Sequence, residues 1–376
     1  MNQSMKLLRS VLWQQIDGSE INLSGKEWKG IAEFFSKQSL DGLLPDAIAL
    51  LPAYNQPPVS VKMPLIARQL QVEQMNRAMN SELLAFTDEL NKRDIPYVLL
   101  KGQGVATLYP NPQHRVCGDI DLYVPTAHLK EVHRGLMAFG AVREMESRHH
   151  INYRVNGIEW ELHHSIYYFQ KEDRNHTFMR YVEEAMQDAP AYVTIGDEKV
   201  RVLPPTMNVL LLLSHIVDHF YSEGVGLRQL CDYALMLHHK RGEIDEVKLL
   251  QALDELSLTR AYQVFGYICT HYLGLPEEDL ALRPTDRDIH LAHRVMADCL
   301  KGGNFGHAES NRRQTLWQKV TFYTRFLRRL WRYRQLHPSE ALWWPLAKMK
   351  RALKGEVSIS EERSAVNRSE AALPHT

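Results

Sequence analysis

The dipeptide Asn156-Gly157 constrains this chain more than any other short feature. It separates two runs, 150–155 and 158–163, and Asn-Gly readily supplies the consecutive positive φ angles of a type I′ turn. A β-hairpin is expected there. Residues two apart on one of its strands share a face, so Glu159 and Glu161 point the same way.

Further strand signals precede the hairpin. Residues 95–101, Ile-Pro-Tyr-Val-Leu-Leu-Lys, form an apolar run suited to a buried strand and stopped by Gly102. Residues 120–124 alternate apolar and polar as a second strand that Pro125 ends, and Thr126 is a plausible cap for a helix over 128–139. Elsewhere helical spacing dominates. It covers 5–15, 26–38 and 65–91, with a proline-rich break at 51–64, and returns over 207–221, 227–240, 246–255 and 259–273. The expected fold is α+β: a small mixed sheet over 93–200, an N-terminal helical region over 1–92 and a C-terminal helical domain over 201–355. A tail over 356–376, without aromatic residues or large apolar clusters, is expected to be disordered.

In Gly118-Asp119-Ile120-Asp121-Leu122, two aspartates lie two apart on one strand, so both carboxylates leave the same face. Like charges that close repel, and a bound cation or a raised pKa relieves them. Mg²⁺ takes one or two carboxylates and completes its shell with water and substrate phosphates, so the pair suits Mg²⁺-nucleotide binding. A hairpin strand beside the aspartate strand would bring Glu159 or Glu161 to the same ions, completing a three-carboxylate clamp. Lys101 and Gly102 close the preceding strand where phosphate can approach the backbone.

At these residues the chain resembles an uncharacterised bacterial branch of the DNA polymerase β-like nucleotidyltransferases. The matching motifs are Leu99-Leu100-Lys101-Gly102, Tyr109, Arg115, Asp119-Ile120-Asp121-Leu122 and Glu161-Leu162-His163, followed by 211–219 and 226–232. The resemblance implies transfer of a nucleoside monophosphate from an NTP to an acceptor hydroxyl or phosphate, with Mg²⁺ or Mn²⁺ as cofactor. Asp119, Asp121 and Glu161 would be the metal ligands and catalytic acids, with Glu159 competing for the third place. Lys101, Gly102, Arg115, His163 and Arg228 would bind the nucleotide. The Gly-Ser pair of better-known relatives is absent, since Lys101-Gly102-Gln103-Gly104 has no serine. A non-catalytic nucleotide- or RNA-binding module on the same fold is the alternative.

His215 and His219 have the spacing of a zinc-protease helix, but Ile216 stands where that motif needs its glutamate. Lining of the cleft with Arg228 and Asp232, or plain interhelical hydrogen bonding, suits them better. The 45 basic residues balance 45 acidic ones, yet 312–354 holds twelve Lys or Arg against Glu340 alone. Leu316, Val320, Tyr323, Leu327 and Leu330 recur there at helical spacing, so a packed helix with a solvated basic face competes with a polyanion-binding or membrane-surface helix. Four scattered cysteines without a C-x-x-C pair fit reduced thiols, and no apolar run approaches the roughly 20 residues of a membrane span. With polar residues interrupting the N-terminal apolar runs, a cytoplasmic protein without integral membrane association is expected. The acceptor, whether small molecule, protein or RNA, is left open.

Overall fold

The structure, a computed structural model, describes residues 3–16, 23–147, 150–188, 190–222, 224–302 and 316–353. Helices α1 (Gln3–Trp13), α2 (Gly25–Lys37), α3 (Leu44–Ala49) and α4 (Val59–Lys92) lead into β1 (Val98–Leu100), α5 (Gly102–Ala106) and β2 (Asp119–Tyr123). Next come α6 (Leu129–Ala138), β3 (Val142–Glu146), β4 (His150–Val155), β5 (Ile158–His163), α7 (Glu172–Asp188), β6 (Ala191–Ile195) and β7 (Glu198–Val202). The rest is helical: α8 (Pro205–Ser222), α9 (Leu227–His239), α10 (Glu246–Glu255), α11 (Thr259–Ile268), α12 (Asp286–Gly302), α13 (Leu316–Arg332) and α14 (Pro338–Leu353). The α+β class with a mixed sheet is therefore what the chain adopts.

The seven strands run in the order β3-β4-β5-β2-β1-β7-β6. β2 pairs parallel with β5 and β1 parallel with β7, while the other neighbours are antiparallel. The Asn156-Gly157 turn holds both central residues at positive φ, 48° and 86°, as a type I′ turn requires, and closes on the pair Val155–Ile158. Strand alternation sorts the faces. Leu99, Ile120, Leu122 and Trp160 join Phe86 of α4 and Leu136 of α6 in one core. Val98, Leu100 and Tyr123 point the other way, into a larger core that unites α1–α3 with helices of the C-terminal half. Helices from both ends of the chain thus share one core on the face of β2 from which Asp121 projects.

Three features depart from the sequence expectations. Helix α4 begins at Val59 and takes Pro64 inside it, at the cost of one backbone hydrogen bond in its second turn. Strand β3 and the β6–β7 hairpin, which turns at Gly196-Asp197 with Gly196 at φ 61°, extend the sheet beyond the expected strands. Helix α7 was not read from the sequence, since its surface face is strongly charged. The tail expected from 356 lies outside the described residues, as do the side chains of Leu316, Val320 and Tyr323. Phe326 and Leu330 of α13 and the following Tyr333 and Leu336 are buried, whereas Leu327, expected in the apolar stripe, is 44% exposed, and Arg325, Arg328 and Arg332 face outward. No helix of the described residues is long and apolar enough to cross a membrane. Cys117, Cys231, Cys269 and Cys299 are free and buried.

A buried histidine locks the N-terminal helices to the loop before β2. His114 Nδ1 lies 2.5 Å from Asp46 Oδ2 beside α3's N-terminus, and His114 Nε2 lies 2.8 Å from Glu73 Oε1 on α4. Burial opposes the charge on this ring, but hydrogen bonds to the two carboxylates outweigh it and raise the pKa above the usual histidine value. Gln69 and Asn111 complete the ring's surroundings, and Arg77 neutralises the outer side of Glu73. A histidine pKa raised on folding contributes stability below its unfolded value and loses it as pH rises through the folded one. Urea unfolding between pH 6 and 9 should therefore show a loss of stability that His114→Gln removes; an identical pH profile in that variant would exclude the clamp.

Candidate active site

Register alone assembles the site. Opposite Asp121 of β2 stand Glu161 on one side, in the parallel pairing with β5, and Leu100 on the other, in the antiparallel pairing with β1. Asp119 lies two residues before Asp121 on the same face, and Lys101 follows Leu100 directly. One carboxylate oxygen from each of Asp119, Asp121 and Glu161 lies within 4.8 Å of the others. Glu159 stands opposite Asp119 in the register but accepts a hydrogen bond from Asn152 Nδ2 at 3.1 Å and is not in that cluster.

Two cationic groups hold Asp121. Lys101 Nζ is 3.0 Å and His163 Nε2 2.9 Å from its Oδ1, and the carboxylate is only 2% exposed. Burial pushes its pKa up, but the Lys101 charge and the His163 hydrogen bond outweigh burial and keep it well below the ordinary carboxylate range. His163 Nε2 also lies 3.2 Å from Glu161 Oε2. Burial works against protonation of His163, yet its bonds to the two carboxylates raise its pKa, and the same contact lowers that of Glu161 against burial. Asp119 differs. It accepts no hydrogen bond and makes no ion pair among the described residues, and burial together with Asp121 pushes it up to about 7 despite Lys101.

Lys101 reaches this position through a strained turn. It sits at φ 47° and Gly102 at φ 35°, two successive residues in the left-handed half of the map. A Cβ on Gly102 would make only ordinary contact with the Asp119 carbonyl at 3.5 Å, so conformation rather than space calls for glycine there. Gly104 has a packing role, since a Cβ would press on Val202 at 3.3 Å. Burial opposes the Lys101 charge, but Asp121, Glu161 and Asp119 outweigh it and raise the pKa. Its ammonium also lies 3.1 Å from His215 Nε2 of α8, which ties the sheet to the helical layer. Burial and the Lys101 charge push His215 well below the usual histidine value, so its ring is neutral.

The sequence-predicted nucleotide residues do not all face the carboxylates. Arg115 is committed to a buried, two-pronged pair with Asp232 of α9, Nε to Oδ1 at 2.8 Å and Nη2 to Oδ2 at 2.6 Å; Tyr109 donates to the same carboxylate at 2.7 Å. Both prongs of its guanidinium are thus taken by α9 rather than turned toward the carboxylate cluster. His163 is turned onto Asp121 and Glu161. Arg228, at the start of α9, donates to the Val116 carbonyl at 2.6 Å and its charge lowers the Asp119 pKa, so it borders the carboxylate cluster. His150, which sequence reasoning passed over, lies 3.5 Å from Glu161 Oε1. Counting back from the Asn156-Gly157 turn would have placed it opposite His163.

The donor set fits a hard divalent cation. Three carboxylates converge, and Asp119 combines a raised pKa with no hydrogen-bond donor, the mark of crowded negative charge that a cation relieves.

This geometry accompanies a family match. The sequence model of the uncharacterised nucleotidyltransferases matches residues 24–274, and the chain belongs to that family. No curated protein matches it. Two solved structures are similar over part of the chain. One is the antibiotic-resistance factor ANT(2'')-Ia in solution, 13% identical over 48% of this chain and 94% of that one, with a TM-score of 0.37. The other is an antigenic nucleotidyltransferase-like protein from Paracoccidioides brasiliensis, 15% identical over 58% of this chain and 96% of that one, with a TM-score of 0.31.

Replacing Arg115 strands a buried carboxylate, and breaking one partner of such a pair costs about 3–5 kcal/mol. Arg115→Gln should lower the unfolding free energy by about that amount in urea titrations, while Arg115→Gln combined with Asp232→Asn should recover much of it. Equal losses in the single and double variants would show that the pair does not tie the layers together.

Proposed function

We propose that this protein moves a nucleoside monophosphate from an NTP to a hydroxyl or phosphate on its acceptor, releasing pyrophosphate, with Mg²⁺ or Mn²⁺ as cofactor. The convergence of Asp119, Asp121 and Glu161 on one sheet face within 4.8 Å carries this reading. These three residues would hold the ions, which when bound lower the pKa of the attacking group and neutralise the leaving oxygens.

The remaining roles belong to the chain itself. Glu161 would take the acceptor's proton, since unlike Asp121 it is not paired with Lys101 and the His163 hydrogen bond keeps it ionised. His163 fixes the directions of Asp121 and Glu161 through Nε2. Lys101 offers a point charge to the triphosphate from a turn that aims its ammonium at the cluster. Arg228 adds a second cation beside Asp119. Arg115, through Asp232, sets the position of α9 and hence of Arg228, so it acts on the nucleotide by positioning. The exposed arginines of α13 offer a surface to an RNA or another polyanionic acceptor, and the apolar face of that helix does not compete for it.

Incubating the purified protein with each α-labelled NTP and Mg²⁺ or Mn²⁺, with and without cell extract, identifies the nucleotide and the acceptor class. Asp121→Asn should reduce turnover at least about a hundredfold, because the metal contributes several kcal/mol of charge stabilisation. Lys101→Ala should raise KM for the NTP about tenfold or more, in keeping with about 1.5–3 kcal/mol for a hydrogen bond to a charged group. Full turnover in Asp121→Asn would exclude metal-assisted chemistry at this site.

A further inference from the structure

Strands β4 and β5 bring nitrogen ligands to the edge of the carboxylate cluster. His150 and His163 oppose one another in the antiparallel register, and Glu161 stands two residues before His163, so all three side chains leave one sheet face. His150 Nε2 lies 3.5 Å from Glu161 Oε1, and His163 Nε2 lies 3.2 Å from Glu161 Oε2. One ligand atom from each residue lies within 4.8 Å of the other two. Ligands at about 2.0–2.1 Å from a tetrahedral ion are about 3.3 Å apart, and the two histidine nitrogens flank the Glu161 carboxylate at 3.5 and 3.2 Å, one beside each oxygen, so the three groups stand close to ligand spacing.

We infer that His150, Glu161 and His163 form a second metal site, selective for a borderline ion such as Zn²⁺ or Co²⁺ and joined to the oxygen-only site through Glu161. Imidazole suits such ions, whereas Mg²⁺ prefers oxygen and gives up its water reluctantly. The scaffold is rigid, because a cross-strand pair and a residue two along supply every ligand. Binding displaces the Nε2 proton that His163 shares with Asp121 and Glu161, and that proton leaves to solvent. The other close histidine pair is less suited. His215 and His219 approach to 3.0 Å, but the Lys101 ammonium, 3.1 Å from His215 Nε2, repels a cation there. The inference rests on the catalytic reading only in sharing Glu161.

The test is Co²⁺ titration of the full-length, chelator-stripped protein without nucleotide, followed by the visible d–d absorption of tetrahedral cobalt. One equivalent should produce the bands, Zn²⁺ should displace them and excess Mg²⁺ should not. His150→Gln and His150→Ala should each lose the bands and bind Zn²⁺ at least about tenfold more weakly, a loss seen even for residues that only support a ligand. Asp119→Asn and His219→Gln should keep them, with circular dichroism confirming the fold of every variant. Bands that survive both His150 changes, vanish in His219→Gln or yield to Mg²⁺ would overturn the site. A cobalt signature with no turnover of any NTP would refute the catalytic reading and leave this site standing; turnover with no signature would do the reverse.

Discussion

The carboxylate of Asp121 is the interaction on which the rest depends. It is buried on a central strand between β1 and β5, where an unpaired charge would be prohibitively costly. Lys101 and His163 make that burial tolerable; register delivers His163 from β5, and the turn after β1 delivers Lys101. The strained turn at Lys101 and Gly102 belongs to the same arrangement. A relaxed strand end would continue the alternation of β1 and carry the ammonium away from the aspartate, so the positive φ angles are what aim it.

The site lies on the sheet face covered by the larger of two cores. One lies between the sheet and helices α4 and α6, and the other unites the chain's two ends on the opposite face. Apolar packing alone would allow the helical layer to slide across the sheet. Directional polar ties oppose such sliding: Arg115 to Asp232, Arg228 to the Val116 carbonyl and Lys101 to His215. Two of them run from α9 to the loop that enters β2, so the layer is fixed most firmly beside the carboxylates. Taking away one partner of such a pair leaves the other charged and buried, so the tie is costly to break.

Much of this was legible in the sequence because it depends on local periodicity. The type I′ turn, the Asp119–Asp121 alternation and the ends of α9 and α10 all follow from neighbours a few residues apart. The choice of Glu161 over Glu159 did not, because it depends on which strand β5 lies beside and in what register, a long-range pairing that hairpin chemistry leaves open. Arg115 shows the limit more sharply. Its motif placed it near the nucleotide, but its partner Asp232 lies more than a hundred residues away, and only tertiary packing reveals that this carboxylate takes both prongs of the guanidinium. The β6–β7 hairpin was readable in principle from Gly196-Asp197 between alternating runs. Helix α7 was hidden by its charged exposed face, which weakens the apolar periodicity on which such a reading depends.

His215 links the static geometry to the proposed chemistry. Its Nε2 has one in-plane lone pair and two neighbours at hydrogen-bond distance, the Lys101 ammonium at 3.1 Å and His219 Nε2 at 3.0 Å. An ammonium can only donate, so contact with Lys101 puts the His215 proton on Nδ1 and leaves Nε2 as acceptor. Both neighbours cannot use that lone pair fully at once. If Lys101 turns toward a phosphate, His219 is already in place to donate to the same nitrogen, so half-buried His215 is not left without a partner. Lys101 can therefore exchange one partner for another without the full cost of abandoning a buried acceptor. The helical layer thereby lowers the cost of moving the charge that the sheet has aimed at the site.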